Sequence, residues 1–275
     1  MGTASVLIAP EPLTAGVPRY TLLLSTDSDL IVAAQRLRHD VFSTEPGFTL
    51  SAHGSGLDAD RFDEFCDHLL VRDDASGELV GCYRMLPPPG AIAAGGLYTA
   101  TEFDVGALDA LRPSLVEMGR AVVRPDHRNG AVVLLMWGGI LAYLDRCGYD
   151  YVAGCVSVPT HPEGSAPGQL LRGVRDVARR RHVAPPELTV HPYRPVVVDG
   201  RCLDDIEPPD LPAHSLLPPL MRGYLRLGAQ VCGEPAHDPE FGVGDFPALL
   251  DKDRADVRYL TRLRAAAASA GAGAR

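Results

Sequence analysis

The sequence predicts an α/β protein built on a mixed, twisted sheet flanked by helices. Up to about residue 123, strand-like runs are separated by polar turns, as in antiparallel pairs; beyond it, strand-like runs alternate with helical periodicity. Hydrophobic residues make up 46% of the 275, ample material for a buried core. Residues 1–18 and the Ala/Gly-rich 265–275 read as flexible tails around a single domain over residues 19–264.

Residues 20–25 are apolar enough for a strand. Residues 29–41 place Leu30, Ala33, Ala34, Leu37 and Val41 on one helical face, with Asp27 or Ser28 as the N-cap. A polar loop runs from residue 43 to about 61. Residues 68–72 and 79–86 flank an Asp-Asp-Ala-Ser-Gly turn and read as an antiparallel hairpin. Pro87, Pro88 and Pro89 end it, because proline has no N–H to give a ladder. Residues 114–123 form the next strand, 125–130 a turn and 132–146 a largely buried helix. A strand follows over 150–158, a basic amphipathic helix over 168–182, a strand over 188–198, a helix over 218–227 and a strand over 228–232.

Charge and composition exclude several functions. Twenty-six basic residues against 35 acidic leave a net charge of −9, opposite to the field that nucleic acid requires. The longest apolar run, 132–144, is interrupted by two glycines and is too short to cross a membrane. No basic segment precedes the short apolar run at Val6, so a cytoplasmic protein is expected, with peripheral contact at the inner membrane face left open. Six scattered cysteines without metal-ligand spacing read as buried thiols, and no metal is expected. Lys252 is the one lysine, so nearly every cation is a guanidinium fork suited to carboxylate or phosphate.

The chemistry concentrates in a few places. Glu117 lies between Val116 and Met118 in a strand expected to be central, where an ionised carboxylate must be partnered or functional. Arg120, three residues on, should point to the opposite face unless a bulge intervenes. The turn Arg124-Pro125-Asp126-His127-Arg128-Asn129-Gly130-Ala131 opens the long helix, and its free N–H groups form a seat for phosphate. Upstream, Arg38 and Phe42 share a helical face, and Asp63, Asp67 and Arg84 could join them in a pocket for an amino acid.

These segments carry a family resemblance. Arg38-x-x-x-Phe42, Asp63-Glu64-Phe65-Cys66-Asp67, the run from Gly81 through Arg84 to Pro87, and Glu117-x-x-Arg120 occur in the order seen in acyl-homoserine-lactone synthases of the GNAT superfamily. The fuller match is to a sister group, the ornithine-lipid N-acyltransferases. It extends to Gly154-Cys155-Val156-Ser157, to the run from Leu217 to Ala229, and to Asp238-Pro239-Glu240-Phe241. The resemblance spans about residues 20–262 and implies a GNAT-like N-acyltransferase fold. It implies transfer of a fatty acyl group, often 3-hydroxylated, from acyl carrier protein to the α-amino group of ornithine. No cofactor of the protein's own is implied, since the donor carries the phosphopantetheine along the fourth strand. Acetyl-CoA-using relatives have Arg/Gln-x-x-Gly-x-Gly/Ala at the helix turn, whereas this chain has Ala131 and Val133 at the glycine positions. That departure favours a carrier-protein donor over free acetyl-CoA.

On this reading Glu117 accepts the amine proton, directly or through one water. Arg120 holds neighbouring carboxylates or lines the donor site. N–H groups of Ala121, Val122 and Val123 polarise the thioester carbonyl. An apolar slot for the chain is expected among Val122, Met136, Trp137, Val152 and Cys155. The acidic carrier needs a basic patch, for which Arg172, Arg175, Arg179, Arg180 and Arg181 are candidates beside Arg124 and Arg128; the same patch suits anionic lipid. An acyl-homoserine-lactone synthase, another N-acyl amino acid synthase and a non-catalytic lipid- or carrier-binding module are the alternatives.

Overall fold

The computed structural model describes residues 2–8, 20–46, 55–128, 130–255 and 261. Nine strands make one sheet: β1 (Ala4–Ile8), β2 (Tyr20–Ser25), β3 (Asp67–Asp73), β4 (Leu79–Leu86), β5 (Leu115–Val123), β6 (Tyr151–Pro159), β7 (Gln230–Val231), β8 (Ala236–Asp238) and β9 (Val243–Asp251). Their order is β1-β2-β3-β4-β5-β6-β9-β7, with β8 also paired to β9. Every pairing is antiparallel except β5 with β6. The helices are α1 (Ser28–Phe42), α2 (Pro88–Ala93), α3 (Gly130–Cys147), α4 (Gln169–Arg181), α5 (Ala213–Leu216) and α6 (Pro219–Leu227). The mixed α/β sheet expected from the sequence is the sheet that forms. No helix among the described residues is long and apolar enough to cross a membrane.

Local chemistry sets the principal boundaries. Asp27 caps α1, its Oδ1 accepting the N–H of Asp29 at 3.1 Å and of Leu30 at 3.3 Å. Gly228, at φ 102°, ends α6 in the left-handed region that a Cβ would disfavour. One face of the sheet carries α3, α4 and α6, packed through Trp137, Ile140, Leu144, Val174, Met221 and Phe246. The other carries α1, through Ala34, Leu37 and Val41 against Leu70 and Cys82. Next to α1, Leu97, Phe103 and Leu108 of the segment after β4 cover Leu115, Ala153 and Leu249.

A bulge in β5 shapes the centre. Cys82 pairs with Val122 and Arg84 with Gly119, so Arg120 and Ala121 of β5 stand opposite the single residue Tyr83 of β4. Arg120 takes φ +54°, a conformation that costs a non-glycine residue roughly 1–2 kcal/mol. The extra residue reverses the alternation. Val116 and Met118 face α3, yet Val122 faces α1.

Several expectations are corrected. Residues 4–8 are not tail but edge strand β1, paired with β2; residues 9–18 and 265–275 lie outside the described residues. The strand expected over 188–198 is instead irregular, with His191–Pro192 bridging Phe103–Asp104 and Val197–Val198 bridging Arg201–Cys202. Pro192 and Pro195 remove the donors a ladder needs. The nine-residue β9 has no counterpart among the expected strands; Gly244 and Pro247 interrupt its apolar pattern. It pairs with β6 along its whole length. Pro247 is tolerated because its missing N–H faces the edge where β7 has ended; its carbonyl accepts the Cys232 N–H there.

Candidate active site

β5 and β6 are hydrogen-bonded only where Leu115–Glu117 faces residues 151–153. Their last close approach is at Gly154, where a Cβ would stand 2.2 Å from the Met118 carbonyl oxygen. Beyond it the strands part around a cavity of about 150 Å³, far above the roughly 10–15 Å³ one water needs. Gly119, Arg120 and Ala121 line one side, Cys155 and Ser157 the other. Tyr83, Met118 and Tyr224 reach it from the α3 face, and Arg84, Tyr98 and Thr99 from the opposite face. The opening therefore passes between the strands.

Glu117 lies on the cavity wall and is 4% exposed. Its carboxylate accepts the Tyr98 N–H at 2.5 Å, the Thr99 N–H at 2.7 Å and the Thr99 hydroxyl. Burial pushes its pKa up, against the downward pull of these donors. The bulge brings Arg120 onto the same cavity, so the two side chains expected on opposite faces share one wall. The Arg120 guanidinium lies 4.9 Å over the Tyr98 ring and 5.2 Å over the Phe241 ring. The Cys155 thiol, held neutral by burial, offers no nucleophile.

Behind the cavity is a closed ion network. Arg38, 1% exposed, donates to Asp58 at 2.8 Å and to both oxygens of Asp63 at 2.9 Å. Arg84 meets Asp60 at 2.6 Å and Asp63 at 3.2 Å, and Arg120 meets Asp58 at 3.3 Å and Asp60 at 3.6 Å. Burial pushes Asp63 up, but the hydrogen bond and charge of Arg38, with the charge of Arg84, hold it well below the usual carboxylate range. Three arginines thus balance three aspartates.

On the far side of the cavity stand Glu102, Asp238 and Asp245, all buried, with oxygens within 4.8 Å of one another. Asp245 accepts the Ser157 hydroxyl at 2.6 Å, and Asp238 accepts the N–H groups of Glu240 and Phe241. Burial, then the charges of Asp245 and Asp238, raises Glu102 far above its ordinary value. Burial and the Asp238 charge also raise Asp245, by less. Among the described residues these three are the one His/Cys/Asp/Glu set with metal-ligand spacing. Glu102 and Asp245 gave no signal in the sequence, one lying in an irregular segment and the other in the unrecognised β9.

The remaining candidates divide. Phe42 and Arg84 line the cavity; Arg38 and Asp63 are spent on each other behind it. Asp67 lies on the other face of the sheet, accepting the Tyr143 hydroxyl of α3 at 2.6 Å. Val122 packs under α1, away from Trp137 and Val152, and Met136 sits in the α3 core. The hollow that does touch Trp137, Val152 and Cys155 measures about 20 Å³, so the expected slot is filled. Ala121 lines the cavity and Val123 abuts the α3 core. Arg124 pairs with Glu78 and Asp126, and Arg128 with Glu45, at the end of β5. Gly130 and Ala131 open α3; Asn129 lies outside the described residues.

The basic patch expected on α4 does not assemble with Arg124 and Arg128. Arg175 is buried against Asp204, Asp176 and Glu234, Arg172 binds Asp176 and three carbonyls, and Arg179 pairs with Glu234. Arg180 and Arg181 are exposed. Since β5 and β6 run parallel and each leads into a helix, α3 and α4 start at one end of the sheet and finish at the other. The last turn of α4, beside β7, is therefore remote from the end of β5.

Residues 37–138 match the acetyltransferase (GNAT) domain family. The chain is 35% identical over 249 residues to an L-ornithine N(alpha)-acyltransferase of Brucella abortus, covering 86% of each. It is 35% identical to one of Rhizobium meliloti, covering 84% of this chain and 79% of that protein. Among solved structures, a CoA-dependent acyl-homoserine lactone synthase bound to SAM and isopentyl-CoA aligns at 16% identity with TM-score 0.48, over 86% of this chain and 81% of that one.

Proposed function

The chain belongs to the L-ornithine N(alpha)-acyltransferases, N-acyltransferases with a GNAT domain, and on that premise we propose that it moves a fatty acyl group, 3-hydroxylated or not, from the thioester of acyl carrier protein to the α-amino group of ornithine, giving a lyso-ornithine lipid. The observation that carries the proposal is Glu117, a buried carboxylate on the wall of a cavity lying between two parting strands.

The donor's phosphopantetheine lies along the edge of β5 from Gly119 to Val123, which has no strand partner on the β6 side among the described residues. The amine nitrogen attacks the thioester carbonyl carbon; the C–N bond forms and the C–S bond breaks. Glu117 takes the proton from nitrogen, directly or through a water, and the leaving thiolate is protonated in turn. Backbone N–H groups of Ala121 and Val123, which alternation turns away from β4, stabilise the developing oxyanion. Arg120, held between two rings and two aspartates, orients the cavity wall. Ornithine rather than S-adenosylmethionine is the acceptor on the strength of the curated relatives.

The test is turnover of acyl-carrier-protein thioester by the purified chain with L-ornithine, read by mass spectrometry of the product. A mono-acylated ornithine is expected. Thioester that persists with every amine tried would leave only a binding module.

A further inference from the structure

We infer that Glu102, Asp238 and Asp245 form the seat of a second, side-chain ammonium of the acceptor, so that the site selects a diamino acid over a neutral one. The inference rests on the acceptor reading above. It begins from a charge imbalance. Around the cavity, Arg38, Arg84 and Arg120 are matched by Asp58, Asp60 and Asp63. Among the described residues Glu102, Asp238 and Asp245 have no cation in salt-bridge contact, and Asp238 and Asp245 border the opening itself. Burial and the charges of Asp245 and Asp238 push the Glu102 carboxyl toward its neutral form, and a cationic ligand would favour the ionised cluster instead.

An unpartnered atom gives the second observation. Glu102 is 8% exposed, and among the described residues its buried Oε2 has no hydrogen-bond donor; the side chain its carboxyl meets is Asp245, another acid. The geometry then specifies the ligand. Three oxygens that all lie within 4.8 Å of one another are compatible with the spread reached by the three N–H donors of one tetrahedral ammonium. With N···O distances of about 2.8 Å, that spread is about 4.6 Å. A divalent cation gathers six or more oxygens with its waters, and Arg120, which bears electrostatically on this cluster, repels two charges more than one. With the side-chain ammonium held there, the α-amine is left for Glu117 across the cavity.

The test compares L-ornithine with L-norvaline, which has the same carbon skeleton and no terminal nitrogen, in the wild-type enzyme with and without EDTA. Ornithine should be favoured in kcat/KM by roughly 10,000-fold, the scale on which a site built for a polar group rejects the analogue lacking it. Asp245→Asn and Glu102→Gln should each reduce that ratio at least tenfold. Asp238→Asn serves as a further variant, with thermal melts to identify any that fails to fold. Equal acylation of ornithine and norvaline by the wild type overturns the ammonium seat and leaves the acyltransfer reading standing. Acylation of neither overturns that reading instead. A preference for ornithine that EDTA abolishes and added divalent metal restores makes the cluster a metal site and also refutes the inference.

Discussion

Thr99 donates both its backbone N–H, at 2.7 Å, and its hydroxyl to one oxygen of the Glu117 carboxylate. The donor pair fixes the carboxylate against the cavity wall and pulls its pKa down while burial pushes it up. Thr99→Val keeps the shape and the amide but deletes the hydroxyl. Glu117 then titrates at higher pH, and because the proposed base acts as carboxylate, the acidic limb of the kcat/KM profile moves to higher pH. An unmoved limb would assign the proton transfer elsewhere.

Glu117→Gln removes the proposed base. It also sets an amide NH2 against a backbone N–H donor, because Tyr98 and Thr99 donate to different oxygens of the carboxylate. Activity should fall by roughly 100-fold or more, the usual contribution of a positioned base. Stability should fall by about 1–3 kcal/mol. Single-turnover rates at saturating thioester, beside urea melts, separate the two losses; a kcat within a few-fold of wild type would reject the base.

Arg38 is not among the residues that line the cavity and lies in the ion network behind it. Arg38→Met leaves Asp58 and Asp63 buried without their cation and should cost about 3–5 kcal/mol in urea unfolding. The pH dependence follows from Asp63, whose native pKa lies below its ordinary 3.8. An acid depressed in the native state stabilises above its unfolded value and loses that contribution as pH falls toward the native one. Wild type should therefore destabilise progressively below about pH 4, and Arg38→Met should lose less over the same range.

The bulge and its arginine show what a sequence reveals and what it conceals. Glu117 between two apolar neighbours announces a buried carboxylate, and strand alternation then assigns Arg120 to the other face. The alternation fails because Arg120 itself adopts φ +54°, a backbone choice with no compositional mark, since arginine has no preference for that region. Helix α1, the hairpin of β3 and β4 and the β5–α3–β6 unit were legible because hydrophobic period, caps and turn residues agreed. Glu102 and Asp245 were not, because only tertiary pairing brings an irregular segment and a proline-bearing strand to the same cavity. Arg38, Asp63 and Arg84 were rightly grouped by residue type, but geometry makes them one another's partners.

The strain at Arg120 is separable from its charge. Arg120→Ala and Arg120→Gly both delete the guanidinium, and both should abolish most activity. Glycine accepts φ +54° freely and alanine does not, so the glycine variant should be the more stable by about 1 kcal/mol. That order is the reverse of the normal one inside a strand. Urea midpoints at equal m-values would show it, and alanine the more stable would mean that the bulge relaxes once the arginine is gone.

The two ends of the sheet differ in what they can offer an acidic carrier protein. Arg124 and Arg128 stand at the end of β5, where the thioester must reach the parting strands, and both are partly exposed despite their acidic partners. Arg180 and Arg181 are exposed at the opposite end, on the last turn of α4. If the carrier docks where its prosthetic group has the shorter path, Arg124→Glu with Arg128→Glu should raise KM for the carrier thioester about tenfold with kcat little changed. The effect should weaken as salt is added. Arg180→Glu with Arg181→Glu should leave KM within about twofold. The opposite ranking would move the docking surface to α4 and require the pantetheine to approach the cavity from the Leu115 end of β5, where the strands are still hydrogen-bonded.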